Sequence, residues 1–220
     1  MPRRSPTILA IAIAAALGAA GAARVTRLDG SRIAASEIDN TVSHLMQAAD
    51  VTGVALALFN NRRPAYVKAY GFRDTDARAP LTIGDFARFI EALMAGRRLR
   101  APTRRLMLTP QIRIVSKHQF PTLAPETTAE NDAIRLSYGL GWGLFSTPYG
   151  QAFFKEGHDE GWRHYTSMFD EPGIGIVIMT NSSNGEGIFK ALLETLVRNT
   201  FTPIEWEGFT PYDRPPGPKK

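Results

Sequence analysis

The sequence contains no cysteine, and this absence removes several kinds of chemistry at once. Disulfide bonds, zinc sites built on cysteine and thiol nucleophiles are all excluded. Histidine is also scarce, because only positions 44, 118, 158 and 164 carry it and no two of them are four residues apart. The chain therefore predicts neither a metal site nor a bound cofactor.

A strong excess of charge is missing too. The chain has 26 lysines and arginines against 21 aspartates and glutamates, a formal net charge of +5. This is too small to indicate a nucleic-acid partner, and we expect none. Residues 97–105 do contain five arginines, at positions 97, 98, 100, 104 and 105. Contact with anionic lipid or nucleic acid is one interpretation of this cluster, and a solvated charged face is the interpretation we favour.

Long apolar runs are absent except at the amino terminus. Arg3 and Arg4 precede the uncharged apolar run 7–17, and Ala20-Gly21-Ala22 has the small residues at which signal peptides are cleaved. We therefore predict a signal peptide over residues 1–23 and export, so that the protein is periplasmic or secreted. An uncleaved membrane anchor is the alternative, because the uncharged stretch 5–23 nearly reaches spanning length.

The spacing of apolar residues predicts helices and strands in the rest of the chain. Helices are predicted over residues 36–50, 85–96 and 187–199 with a short one after Pro102, and strands over 54–59, 65–70, 140–145, 152–156, 163–169 and 174–180. Ser36 is the predicted cap of the first helix. Residues 109–137 read as a long loop, and the proline-rich segment 202–220 as an irregular tail.

The order of these elements indicates an α+β fold. Short turns link the last four strands, which favours antiparallel pairing. We predict one antiparallel sheet of five to six strands flanked by amino-terminal and carboxy-terminal helices, in a domain over residues 34–201.

Several segments resemble the class C β-lactamase-like and penicillin-binding-protein-like serine hydrolases, in the family's own order. Residues 54–82 resemble the first hairpin of that family, Tyr138-Gly139-Leu140-Gly141-Trp142 resembles one of its strands, Gly157-His158-Asp159-Glu160-Gly161 its third active-site box, and residues 176–182 its last strand. The resemblance implies a β-lactamase/transpeptidase-like fold and an acyl-enzyme mechanism. It also implies an ester, amide, β-lactam or peptidoglycan-like ligand.

The residues that would perform this chemistry are missing from the sequence. The family has a Ser-x-x-Lys after the first hairpin, in which the lysine helps to activate the serine. Here no serine has a lysine three residues later, and no tyrosine has asparagine two residues later or serine directly after it. We predict an internal deletion near Thr82 that removes most of the helical subdomain. The chain is then inactive alone, and a non-catalytic cell-envelope binding module or pseudoenzyme is the alternative to an enzyme.

The third box supplies the candidate site. By the resemblance, His158 inherits the position of a donor to the substrate or the oxyanion, and Gly157, Glu160, Gly161 and Trp162 contact the substrate. The carboxylate of Glu160 would repel an anionic ligand, which favours neutral esters or amides. The alternative is that His158 is an ordinary surface residue beside a glycine turn.

Other arrangements of nucleophiles are weaker candidates. Ser116 and Lys117 are neighbours whose side chains diverge on any regular element. Ser182 and Ser183 stand at a turn from strand to helix, where capping is the expected role. A triad of His158 with Ser167 or Asp159 is a further hypothesis. Finally, loss of a helical layer would uncover a sheet face, from which we expect self-association.

Overall fold

The structure is a computed structural model that describes residues 24–71, 83–120 and 125–214. The predicted signal peptide and the predicted deletion point near Thr82 lie outside these residues. The helices are α1 (Ala35–Ala48), α2 (Ile83–Met94), α3 (Ala101–Met107), α4 (Phe189–Leu192) and α5 (Ile204–Glu207). The strands are β1 (Arg24–Thr26), β2 (Arg32–Ala34), β3 (Gly53–Asn60), β4 (Arg63–Gly71), β5 (Ile112–Arg113), β6 (Ser137–Tyr138), β7 (Gly143–Thr147), β8 (Gly150–Asp159), β9 (Trp162–Phe169) and β10 (Ile174–Thr180).

Eight of these strands form one antiparallel sheet in the order β4-β3-β10-β9-β8-β7-β6-β5. The predicted α+β fold is confirmed, and all six predicted strands are present. The strand expected at 140–145 begins later, at Gly143, because Gly141 has a φ of 85° and takes part in a turn. Sequence periodicity missed β5 and β6, since strands of two residues have no measurable alternation.

Apolar side chains pack on both faces of the sheet. Successive residues of β3 point to opposite faces, and both sets of residues are apolar and buried. Leu56 and Leu58 point to the side on which α1 and α4 pack, which we call the α1 face. Ala57 and Phe59 point to the opposite side, which we call the α2 face, and they pack there against α2. Helix α2 packs on this face at the β4-β3-β10 end of the sheet. Self-association through an uncovered sheet face stays a prediction.

Two helix ends differ from the prediction. The first helix is capped by Ala34, whose backbone N–H donates to the Glu37 carboxylate at 2.9 Å, and Ser36 lies inside the helix. The helix predicted at 187–199 starts with a 3₁₀ turn (Gly185–Ile188), continues as α4 and ends in a π turn (Leu193–Val197). It stops at Arg198, which has a left-handed φ of 62°.

The carboxy-terminal segment is more ordered than predicted. An irregular tail was expected from Thr202, yet α5 lies within it, and Ile204 and Trp206 are buried in the core of the α1 face. This part of the prediction is wrong at residues 204–207, because a helix of four residues with two glutamates has no clear apolar periodicity; the other residues of 202–214 form no helix or strand, as predicted. Val25 of β1 belongs to the same core, so packed residues extend beyond 34–201 at both ends. Within the described ranges, no helix is long and apolar enough to cross a membrane.

Candidate functional site

The five predicted site residues lie together at one end of a hairpin. Strands β8 and β9 are joined by the two-residue turn Glu160-Gly161, and Gly161 has a φ of 82°, which a side chain would disfavour. Strand β8 ends with Gly157, His158 and Asp159, and Trp162 begins β9. The structure therefore brings together the residues that the third box groups in sequence.

This end of the hairpin has an open edge. Strand β8 pairs with β9 from Ala152 to its last residue, Asp159, but its pairing with β7 ends where Gly143 stands opposite Phe154. In the described part of the chain, no strand pairs with residues 155–159 on the β7 side. A length of strand is thus available for a partner in an extended conformation.

The direction of the backbone groups follows from the alternation of antiparallel pairing. The N–H of Asp170 donates to the carbonyl of Gln151 at 3.3 Å, so Gln151 directs its backbone groups toward β9. Successive residues alternate, and therefore Lys155, Gly157 and Asp159 also point toward β9. Glu156 and His158 direct their N–H and C=O groups to the open edge.

The side chain of His158 is held by a carboxylate that the sequence analysis missed. Its Nδ1 lies 2.9 Å from Glu156 Oε2, and the other oxygen of Glu156 accepts a hydrogen bond from Gln119 Nε2 at 3.0 Å. The Glu156 side chain is 8% exposed, whereas that of His158 is 40% exposed. The Phe120 ring stands edge-on to the imidazole at 5.4 Å and an interplanar angle of 87°. The carboxylate thus fixes one ring nitrogen, and the other is left to contact a ligand.

The opposite side of the same edge carries an aromatic pair. A Cβ added at Gly157 would meet the Trp162 ring at 3.6 Å, so the indole lies over this glycine. The Trp162 and His164 rings are 4.6 Å apart. Burial lowers the pKa of His164 below its ordinary value, which keeps this imidazole neutral. Trp162 remains 36% exposed and forms an apolar surface on the α2 face.

The hairpin turn is anchored by the segment that follows β10. The N–H of Gly161 donates to Ser183 Oγ at 2.9 Å, and Arg163 Nε lies 2.7 Å from Glu186 Oε2. Ser182 Oγ accepts from the N–H of Thr52 at 2.8 Å. Capping was expected of the segment Ser182-Ser183-Asn184, and Asn184 occupies the cap position of the 3₁₀ turn, although its side chain makes no capping bond and neither serine is the cap. The two serines tie the turn and the loop before β3 to the sheet instead.

The structure does not bring any candidate serine to His158. Ser167 is fully buried and bonded to Thr202 Oγ1 and Asn199 Nδ2, each at 3.2 Å. Ser167 stands opposite Phe154 of β8. Phe154 is four residues before His158, so Ser167 lies roughly 13 Å from His158 along the strand direction. Ser116 Oγ accepts from Trp206 Nε1 at 3.3 Å. Among the described residues no serine hydroxyl is hydrogen-bonded to a lysine or histidine.

The Tyr-Gly-Leu-Gly-Trp segment has a structural explanation. A Cβ at Gly139 would collide with the carbonyl oxygen of Met107, and one at Gly143 would collide with the Phe154 ring. These glycines allow α3 and β8 to approach closely. Tyr138 lies beside the open edge, with Lys155 Nζ 5.9 Å from its ring centre. No group of three acidic, histidine or cysteine residues in the described ranges is arranged to hold a metal ion.

Comparisons with known proteins give limited information. No family model matches the chain, and no curated protein matches it. Among solved structures, the chain is similar to the octameric penicillin-binding protein homologue from Pyrococcus abyssi, with 13% identity and a TM-score of 0.39 over 73% of this chain. The chain spans 37% of the length of that protein. A likeness of this size identifies neither fold nor activity, so the α+β assignment rests on the sheet itself.

Proposed function

We propose that this chain is an exported, non-catalytic binding module related to the serine β-lactamases, and that it binds an extended amide- or ester-containing ligand along the edge of β8. A peptidoglycan-like peptide is the ligand class that we expect. The observation that supports this proposal is the open edge at Glu156 and His158, next to a histidine held by a carboxylate and without a nucleophile within reach.

Backbone pairing would supply the affinity. Glu156 and His158 direct two N–H and two C=O groups outward, and a ligand strand can bond to them as an added strand does. Each such bond contributes about 1 kcal/mol net. Successive side chains of the ligand would lie on opposite faces, one beside His158 and Phe120 and the other beside Gly157 and Trp162.

Charge at the turn would select among such ligands. Asp159 and Glu160 are exposed acids at the end of the edge, whereas the charge of Glu156 is offset by Lys155, whose Nζ lies 4.0 Å from Glu156 Oε1. A ligand carboxylate placed here is repelled, as expected from the Glu160 side chain. Neutral amides and esters are therefore the preferred chemistry.

Binding without turnover follows from the missing nucleophile. Acyl transfer requires an oxygen or sulfur atom that a base can activate. The Glu156–His158 pair resembles the base and its orienting carboxylate, but no serine hydroxyl in the described ranges reaches it. Enzymes stripped of their triad lose most of their rate enhancement and keep only roughly 10³–10⁴-fold over water. A chain without a nucleophile is therefore expected to bind without measurable steady turnover.

Two variants of one residue test the proposed edge. His158→Pro removes the outward N–H but no bond to β9, so the sheet should tolerate it. His158→Ala keeps the N–H and removes only the imidazole. With an N-acetylated tripeptide amide as the probe, calorimetry should show loss of binding in the proline variant and a smaller decrease in the alanine variant.

A matched ligand tests the role of charge. The same tripeptide with a free carboxylate should bind several-fold more weakly than the amide, and Glu160→Gln should reduce this difference. If neither peptide binds, or if both His158 variants bind as the wild type does, the proposed site is wrong.

Hydrolysis is the second candidate, and one observation favours it. The 2.9 Å contact between His158 Nδ1 and Glu156 is the arrangement that orients a general base in serine hydrolases. A nucleophile would then come from a second chain or from water. This candidate predicts covalent labelling by a fluorophosphonate probe or steady ester hydrolysis that is lost in Glu156→Gln, and the binding module predicts neither.

A further inference from the structure

A carboxyl group that the proposed site does not use is buried beside it. Glu207 belongs to α5 and is 3% exposed. Among the described residues, the Tyr165 hydroxyl is the hydrogen-bonding partner of its carboxyl group, and this contact falls short of a well-formed hydrogen bond. Such groups are rare, because an unpaired buried polar atom loses its hydration without compensation.

The surroundings of Glu207 favour its neutral form. The titratable groups that face it are Tyr165 from β9, Glu156 and Lys155 from β8, and Tyr138 from β6. Burial raises the pKa of Glu207 well above its ordinary value, and the negative charge of Glu156 raises it further, while Tyr165 and Lys155 act in the opposite direction. On α5 itself, Glu205 is an exposed carboxylate that is paired with Lys190 at 2.5 Å.

Helix α5 also holds the loop beside the proposed binding edge. The carbonyl of Trp206 accepts a hydrogen bond from the N–H of Gln119 at 2.8 Å, and the indole Nε1 of Trp206 donates to the carbonyl of Ser116 at 3.2 Å. Gln119 in turn bonds to Glu156, which positions His158. A continuous set of contacts therefore connects Glu207, α5, the loop 116–120 and the edge of β8.

We propose that residues 203–214 form a proton-dependent latch, which is docked when Glu207 is protonated and which is released, together with the loop 116–120, when Glu207 gives its proton to solvent. The regulatory meaning of the latch rests on the proposed function, because the loop contacts the residues that hold His158. Release removes the Gln119 and Phe120 contacts from one face of the edge and thus changes access to it.

The direction of the switch follows from linkage. A carboxyl with a raised pKa in the docked state favours docking fully at a pH below its ordinary pKa. That preference is lost as the pH rises toward the pKa of the docked state. Between these two values one proton is released for each latch that opens, so the ratio of docked to released chains falls tenfold per pH unit.

The experiment follows Trp206 by fluorine NMR in the full chain, in which the three tryptophans are replaced by 5-fluorotryptophan. Trp142→Phe and Trp162→Phe assign the signals. As the pH rises from about 5 to about 9, the Trp206 signal should move toward its solvent-exposed position. The protection factor of the Gln119 amide, which is its exchange rate relative to the intrinsic rate at the same pH, should fall in parallel. Glu207→Gln should keep Trp206 docked throughout, and Glu207→Leu provides a second neutral side chain if the first fails to fold.

Glu205→Gln is the matched control, because it removes an exposed carboxylate from the same helix and should leave the transition unchanged. A Trp206 signal that stays docked over the whole range, or a transition that persists in Glu207→Gln, overturns the latch. This readout needs no ligand, so it stands apart from the peptide titration. If Trp206 moves but affinity for the tripeptide amide is equal at both pH values, regulation of the edge is wrong.

Discussion

Two carboxyl groups of this protein, those of Asp39 and Glu207, lie in opposite kinds of polar surroundings. Where α1 packs beside β4, Asp39 Oδ1 accepts hydrogen bonds from Lys68 at 2.8 Å, Tyr70 at 2.7 Å and Tyr66 at 2.5 Å. Near the hairpin, Glu207 is more deeply buried, and its contact with the Tyr165 hydroxyl falls short of a well-formed hydrogen bond. The surroundings of Asp39 favour its charged form, and the burial of Glu207 favours its neutral form.

The pKa values differ accordingly. Hydrogen bonds from Lys68, Tyr66 and Tyr70, of which the bond from Lys68 has the largest effect, together lower the pKa of Asp39 to about 2. Burial moves the pKa of Glu207 in the other direction. The Asp39 cluster joins α1 to the edge strand β4 and serves the fold. The Glu207 cluster weakens the fold at neutral pH, which is a reason to assign it a role other than stability.

The largest predicted effect separates the two clusters by pH. Glu207→Gln should raise the free energy of unfolding at about pH 8, by up to about 1.4 kcal/mol for each pH unit above the ordinary pKa of a glutamate. At about pH 4 the wild-type carboxyl is already neutral, so the variant should gain nothing. Urea unfolding at both pH values measures the difference, and an equal gain at both would contradict the assignment.

Two tyrosines sharpen the comparison. The Tyr66 hydroxyl is bonded to Asp39, whereas the Tyr165 hydroxyl makes only a poorly formed contact with Glu207. Tyr66→Phe should therefore cost about 1 kcal/mol, and Tyr165→Phe should be neutral or stabilising, although Tyr165 is the more buried residue. Parallel urea unfolding curves test this order, and a larger loss for Tyr165→Phe would reverse it.

The smallest predicted effect concerns Asp39 itself. Because its pKa is lowered, its contribution is present above the ordinary range of an aspartate and disappears as the pH falls toward about 2. Asp39 and Lys68 are 34% and 46% exposed, so Asp39→Asn should cost no more than about 1 kcal/mol near pH 7. Acid titration by circular dichroism should show the two proteins converging below pH 3, and a constant difference would be inconsistent with this role.

The sequence predicts the sheet well because alternation within long strands is a local signal. Val54, Leu56 and Leu58 alternate with Ala57 and Phe59, and the structure places the two sets on opposite faces. The cap of α1 was misassigned, since a glutamate at position 37 bonding to a backbone N–H outweighed the serine at position 36. Short strands and the helix at 204–207 were missed because their burial depends on distant parts of the chain.

The site was predicted in part. The glycines on either side of His158 indicated the hairpin turn and its position in the sheet. Glu156 was missed, although a residue two positions before His158 on a strand must share its face, and this signal would have found it. Glu207 and Gln119 could not have been found, since only the folded chain brings residues so far apart in sequence to the same place.

Amide hydrogen exchange along β8 tests the central claim most directly. The N–H groups of Lys155 and Gly157 should be protected by β9, and those of Ala152 and Phe154 by β7. The N–H groups of Glu156 and His158 should exchange rapidly and become protected when the tripeptide amide is added. Uniform protection of residues 152–158 in the free protein would contradict an open edge, and unchanged exchange at saturating peptide would contradict its role in binding.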